Sequence, residues 1–277
     1  MKAKLAFGIA ALIAAPVAAI AADAVAGITV AQGGIYRGQV PAGSTALQLD
    51  SKPVRVTADG RYIIGFGRDA PTNAVLRWRM PGGEVVTQTI TVAPRQWRIQ
   101  SLPTLPRIPV PDAEFEARRP AEIASIGAAR AEAAASNAGT GWDSAFIRPA
   151  AGPISGVYGS QRILAGVPSA PHAGLDIAAG AGAAVTAPAA GVVLLAQGPF
   201  TLEGNLVMID HGMGLVSAFL HLSRMDVKPG DVVRSGQKIG LVGATGRATG
   251  PHLHWGVTWN DVRVDPAGLL PAVAAGK

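Results

Sequence analysis

Five histidines stand in this 277-residue chain, and all of them fall between positions 172 and 254: His172, His211, His221, His252 and His254. No cysteine is present. Thiol nucleophiles, disulfides, iron–sulfur clusters and Cys-type zinc sites are therefore excluded, and any metal must be held by His, Asp or Glu. His252-Leu253-His254 puts two imidazoles at i and i+2. On a strand they share one face, about 6.6 Å apart along the chain. One can bind a metal while the other stands beside it, within reach of water or substrate. His172 and Asp176, in Pro171-His-Ala-Gly-Leu-Asp-Ile177, add an imidazole nitrogen and a carboxylate oxygen. Those donors suit zinc, and Gly174 between them permits a tight bend that lets both converge. Two histidines and one aspartate leave a fourth position for water, which is the pattern of a catalytic zinc site rather than a closed structural one. Zinc bound in this way lowers the pKa of its water to about 7. His221 ends the apolar run Ala218-Phe-Leu-His-Leu-Ser223. Beside a zinc site it can act as general base or oxyanion stabiliser; otherwise it reads as a buried structural histidine. His211, where a strand meets the turn at Gly212, reads as structural.

The elements that must position these residues are mostly strands. Charged residues make up only 15%, and 35 glycines and 21 prolines punctuate the chain, a composition that suits a turn-rich, mainly β protein. Residues 1–22 carry Lys2, Lys4, an apolar run and Ala19-Ile20-Ala21, and read as a secretory signal peptide; an uncleaved anchor is the alternative. Cleavage leaves no stable membrane insertion and implies a secreted, periplasmic protein. Residues 23–100 show strand runs at Gly27–Ala31, Ala46–Leu49, Val54–Thr57, Tyr62–Phe66, Ala74–Met80 and Val85–Ala93, separated by turn signals. They suggest an immunoglobulin-like β-sandwich acting as an accessory domain, with Arg77 and Arg79 on a solvated face. Residues 101–143 form a Pro-rich and helical linker. Pro-rich 101–111 favours an extended spacer, and the Ala/Glu/Arg-rich helix after it has Pro120 in its first turn and ends near Asn137 and Gly139. This helix reads as a connector, with docking near the active site as the alternative. Residues 144–277 return to strands and glycine turns with no internal helix. The formal net charge is +6, of which two units belong to Lys2 and Lys4, and no basic face is concentrated enough to favour nucleic acid.

Within 144–270 the blocks Gly156-Val-Tyr-Gly159, His172-x-Gly-x-Asp-Ile177, Ala187-Pro-Ala-Ala-Gly-Val-Val193, Val207-x-Ile-Asp-His-Gly212, His221-Leu-Ser223, Val227-Lys-x-Gly-Asp-x-Val233 and Gly243-Ala-Thr-Gly-Arg-Ala-Thr-Gly-Pro-His-Leu-His254 follow one another. In order and spacing this region resembles the catalytic domain of the lysostaphin/LytM-type zinc metallopeptidases. The resemblance implies an antiparallel β-sheet peptidase domain with a groove over one zinc ion per chain. It implies His172, Asp176 and His254 as metal ligands and His221 and His252 as the non-ligand catalytic histidines. It also implies peptidoglycan as the substrate, cut by zinc-activated water in stem peptides or cross-links. Gly159-Ser-Gln-Arg162 departs from the family's Gly-x-Arg-Arg, and a further segment, Ile163–Ala170, precedes His172. A non-catalytic wall-binding regulator of another hydrolase is the competing reading. A carrier module related to biotinyl, lipoyl or phosphocarrier domains is a weaker one, disfavoured by the signal peptide.

Overall fold

The structure is a computed structural model and describes residues 27–103, 112–136 and 138–271. The expected signal peptide, residues 104–111 of the spacer and Asn137 lie outside the described residues. The protein is mainly β. In the N-terminal region the strands are β1 (Ile28–Ala31), β2 (Ile35–Gln39), β3 (Thr45–Leu49), β4 (Lys52–Pro53), β5 (Arg61–Gly65), β6 (Asn73–Arg79) and β7 (Val85–Ala93). Five of them form a sheet in the order β1-β7-β6-β3-β4, with β1 parallel to β7, while β2 and β5 pair separately. Strand β6 shows the period of two directly: Ala74, Leu76 and Trp78 are buried, and Arg77 and Arg79 are exposed. The expected strand over Val54–Thr57 does not form. Val54 donates to Leu47 O, and the chain then turns through Asp59-Gly60, where Gly60 donates to Thr57 O. The apolar side chains of this region do not make a core of their own. Tyr62, Ile63, Ile64 and Phe66 join one cluster with Trp255, Val257, Trp259 and Val264 from the C-terminal sheet.

Two segments between the sheets are built into the C-terminal half. Strand β8 (Ile99–Leu102) runs parallel to β10 (Gln161–Leu164), which pairs with β11 (Val167–Pro168). The extra segment before His172 is thus part of a three-stranded sheet whose edge comes from the N-terminal region. Helix α1 spans Ala113–Ala135, and its N-cap Asp112 accepts the Phe115 N–H at 2.7 Å. Pro120 lies in the helix interior, not in its first turn as expected. The Asp112 cap, with Glu114 and Glu116 in the first turn, starts the helix upstream of it. Proline removes one backbone bond there, and it does so on an exposed turn where water can solvate the freed carbonyl. The helix is also more than a connector. Ile126, Ala129 and Ala133, at helical spacing, pack on Leu194, Phe200, Leu206, Met208 and Val216.

The remaining strands are β9 (Ile154–Gly156), β12 (Gly174–Ile177), β13 (Ala184–Thr186), β14 (Gly191–Phe200), β15 (Gly204–Asp210), β16 (Leu215–Met225), β17 (Val232–Val233), β18 (Lys238–Val242), β19 (Leu253–Trp259) and β20 (Val262–Val264). They form one antiparallel sheet with the path β17-β14-β15-β16-β19-β12-β9. Strand β18 pairs with β16 and β13, and β20 pairs with β19. Among the described residues of this region the one helical element is a 3-10 turn, Pro266–Leu269. Trp255, Phe219 and Phe146 are fully buried behind the sheet, each contributing about 1.5–3 kcal/mol through removal from water.

Candidate metal centre

Strands β12 and β19 are adjacent, and their register sets Asp176 directly opposite His254. On the other side of β19, His254 is opposite Leu220 of β16. Cross-strand partners share a face, so Asp176, His254 and Leu220 line the front of the sheet. Ser217, Phe219 and Trp255 point to the back. Leu220 and Ala218 also pack against the cluster that holds α1, so the helix lies on the same face as His254.

His172 arrives from the loop before β12. Its backbone is tied on both sides: its N–H donates to Ser160 O at 2.8 Å, and its carbonyl accepts from Gly159 N at 2.9 Å. Its Nδ1 lies 3.0 Å from Val157 O. A carbonyl only accepts, so Nδ1 carries the proton and the Nε2 lone pair is free to face the cluster. His172 Nε2 is 3.0 Å from Asp176 Oδ1 and 3.1 Å from His254 Nδ1, and the last two are 2.9 Å apart. Tetrahedral zinc with ligands at about 2.0–2.1 Å requires donor separations of about 3.3 Å. The triangle of one oxygen and two nitrogens is nearly the face of such a tetrahedron, so the residues fit a zinc ion. Gly174 contributes differently from the bend expected of it. It is the first residue of β12, opposite Gly256, and a Cβ there would stand 2.4 Å from Trp255 O and 2.8 Å from His254 Nε2. The missing side chain is what lets the ring of His254 lie over the strand.

Electrostatics favour the metal-binding protonation state at Asp176 and His254 and oppose it at His172. Burial alone would raise the Asp176 pKa, but the imidazoles of His172 and His254 beside it hold its carboxyl well below the usual carboxylate range. Burial pushes His254 down, toward the neutral ligand form, against the pull of Asp176. For His172 burial acts in the same direction, but the carboxylate of Asp176 beside it outweighs burial and raises the ring's pKa.

The two other histidines complete the cluster. His252 Nε2 lies 3.9 Å from Asp176 Oδ1, and its Nδ1 is 2.8 Å from Gly250 O. The rings of His221 and His252 are 4.9 Å apart between centroids, and those of His221 and His254 are 6.2 Å apart. Strand alternation would send His221 to the back with Ser217 and Phe219. Its φ of +64° lies instead in the left-handed region, where the ladder with β15 shifts register between Phe219 and Leu222, and this turns the ring to the front. A non-glycine residue held there costs about 1–3 kcal/mol and persists only where its surroundings determine it. Those surroundings are two carbonyls: Glu203 O accepts the His221 N–H at 2.9 Å, and Thr245 O accepts from Nδ1 at 2.8 Å. Burial pushes the His221 pKa down, opposed by the Thr245 bond. Sequence reasoning missed the Glu203 carbonyl as acceptor of the His221 N–H, and the Thr245 and Val157 carbonyls as partners of these rings. Thr245 was visible only as part of the glycine-rich block before His252. His211 lies apart from this group, fully buried behind the sheet.

Residues 170–266 match the model of peptidase family M23. Over 87 residues the chain is 47% identical to peptidoglycan DD-endopeptidase ShyA of Vibrio cholerae, covering 31% of this chain and 20% of that protein. Over 98 residues it is 43% identical to the DD-carboxypeptidase/endopeptidase Mpg of Neisseria meningitidis, covering 35% of this chain and 22% of that protein. The match thus spans about a fifth of the length of these curated relatives. A crystal structure from Pseudomonas aeruginosa assigned to peptidase M23 superimposes with a TM-score of 0.68 at 32% identity, covering 88% of this chain and 96% of that one.

Proposed function

Because the chain belongs to peptidase family M23, we propose that it is a secreted, zinc-dependent endopeptidase that hydrolyses peptide cross-links of peptidoglycan. The observation that carries this reading is the triangle of His172 Nε2, Asp176 Oδ1 and His254 Nδ1, with edges of 2.9 to 3.1 Å, flanked by two imidazoles. One carboxylate and two neutral imidazoles would hold the ion. Zinc, when bound, supplies Lewis acidity toward a carbonyl oxygen and acidifies water. His221 and His252 handle protons. Each donates Nδ1–H to a backbone carbonyl, Thr245 O and Gly250 O respectively, which leaves its Nε2 as a lone-pair acceptor. Either Nε2 can take a proton from the attacking water. The ring then becomes a donor, able to stabilise charge on the scissile oxygen or to protonate the departing amine. The names of the relatives above favour a bond between D-residues in the cross-link. The reading of residues 1–22 as a signal peptide puts enzyme and cell wall in one compartment, the periplasm.

The test is mass spectrometry of muropeptides released from purified sacculi by zinc-loaded protein lacking residues 1–22, with His254→Ala alongside. Loss of cross-linked dimers, abolished by His254→Ala or by chelation and restored by zinc, is the expected result. Unchanged sacculi, with folded protein and zinc bound, would overturn it in favour of a regulator of another hydrolase.

A further inference from the structure

His221 is the imidazole of the group that is held at a left-handed φ. Its N–H has left the β ladder for Glu203 O. Glu203 sits in the turn that joins β14 to β15, and helix α1 grips this turn. Arg119 Nη1 donates to Glu203 Oε2 at 2.6 Å and Nη2 to Oε1 at 2.8 Å. The same Nη1 reaches Glu122 Oε2 at 3.0 Å, while Glu122 Oε1 accepts from both N and Oγ1 of Thr201 at 2.7 Å. These side chains are only 18%, 17% and 12% exposed for Arg119, Glu203 and Glu122. A two-pronged guanidinium–carboxylate pair so shielded is directional as well as strong, unlike an ion pair on the surface. The far side of the turn meets the second anchor of His221. Gly204, at φ +66°, packs so closely that a Cβ would stand 2.3 Å from Thr245 Oγ1, and Asn205 N donates to that same oxygen at 2.9 Å. Both carbonyls that hold His221 therefore belong to, or pack on, the turn that α1 clamps.

We propose that Arg119 and Glu122 are positioning residues for His221, and that α1 is a brace that sets the angle of that ring. The inference rests on the reading of His221 as a proton-handling residue. The metal ligands are outside the brace, because β12, β19 and the loop before β12 hold them. Breaking the clamp lets the turn relax and His221 swing away, while the zinc site keeps its ion.

The experiment compares zinc-loaded Arg119→Gln, Arg119→Lys and the surface control Arg118→Gln, whose ion pair with Glu114 is exposed. The readouts are kcat and KM on cross-linked muropeptide dimers, zinc content, and hydrogen exchange of the His221 backbone amide. For Arg119→Gln kcat is expected to fall about tenfold to a hundredfold, with KM and zinc content unchanged. Arg119→Lys should lie between, since it keeps the charge and loses the fork. His221 amide exchange should accelerate in both, and Arg118→Gln should match the parent. Introduced into His221→Ala, Arg119→Gln should reduce the residual rate no further. Parental kcat in Arg119→Gln, loss of zinc, or an undiminished extra loss in the His221→Ala background would each overturn the brace. Full activity of His221→Ala itself would overturn the role of His221 and the brace with it. An inactive His221→Ala beside a fully active Arg119→Gln would overturn the brace alone.

Discussion

His211 and His221 are carried by neighbouring parts of one sheet and meet opposite conditions. His211 lies behind the sheet with both ring nitrogens occupied, Nδ1 by Ala190 O at 2.8 Å and Nε2 by Ser217 Oγ at 2.9 Å. Its ring meets Phe146 edge-on at 4.8 Å between centroids, and Trp255 Nε1 donates to the same Ser217 Oγ at 3.2 Å. Burial pushes its pKa down to about 4. His221, in front, has its Nδ1 bonded to a carbonyl and its ring among the rings of His252 and His254. A histidine with both nitrogens bonded by the protein is a packing element. One held by a single nitrogen in a fixed tautomer is oriented yet still able to move a proton.

That contrast orders the expected effects. His254→Ala should abolish both zinc binding and turnover, measured by metal analysis and muropeptide release. His252→Ala should keep zinc and lose about 10²–10⁴-fold in kcat, the range for a removed acid–base group. If His252→Ala lost the metal and His254→Ala kept it, the two roles would be reversed. His211→Ala should leave zinc content and the turnover of folded enzyme unchanged, while lowering stability by about 2–4 kcal/mol at neutral pH in denaturant titration. Its cost should also depend on pH. The unfolded chain takes up a proton at His211 below about pH 6.5, while the folded chain holds it neutral down to about pH 4. The parent's stability from this group is therefore full above pH 6.5 and is lost between about 6.5 and 4, by up to about 3 kcal/mol, so the gap to His211→Ala should shrink over that window. The smallest effect belongs to Ser217→Ala, which strips His211 and Trp255 of a shared partner and should cost about 1–3 kcal/mol of stability with no change in kcat. A loss of activity in either back-face variant would break the contrast.

Much of the site was legible in the residues themselves. The gathering of every histidine into one third of the chain, the His-x-His pair and the His172/Asp176 segment announce metal chemistry before any fold is known. Alternation alone puts His252 and His254 on one face, and for that reason it leaves open which of them meets Asp176; the register of β12 against β19 decides that. Gly174 was legible as necessary but for a different reason. Local sequence reasoning treats glycine as a bend, whereas here its missing Cβ makes room for a ring that arrives from a distant strand. Pro120 misled in a similar way, because the Asp112 cap outweighed the preference of proline for a first turn.

By itself the sequence determined which donors exist, that no thiol is among them, that the strands alternate, and that the chemistry belongs to the C-terminal half. These follow from composition and from the period of two, which are local properties. The front-facing turn of His221, the second nitrogen bond of His211 and the clamp between Arg119 and Glu203 were decided only by the tertiary structure. The clamp joins residues separated by 84 positions, and the face of His221 depends on a left-handed residue that alternation alone would have sent to the other side. Pairings at such separations are set by the way strands and helix pack, and no local pattern encodes them.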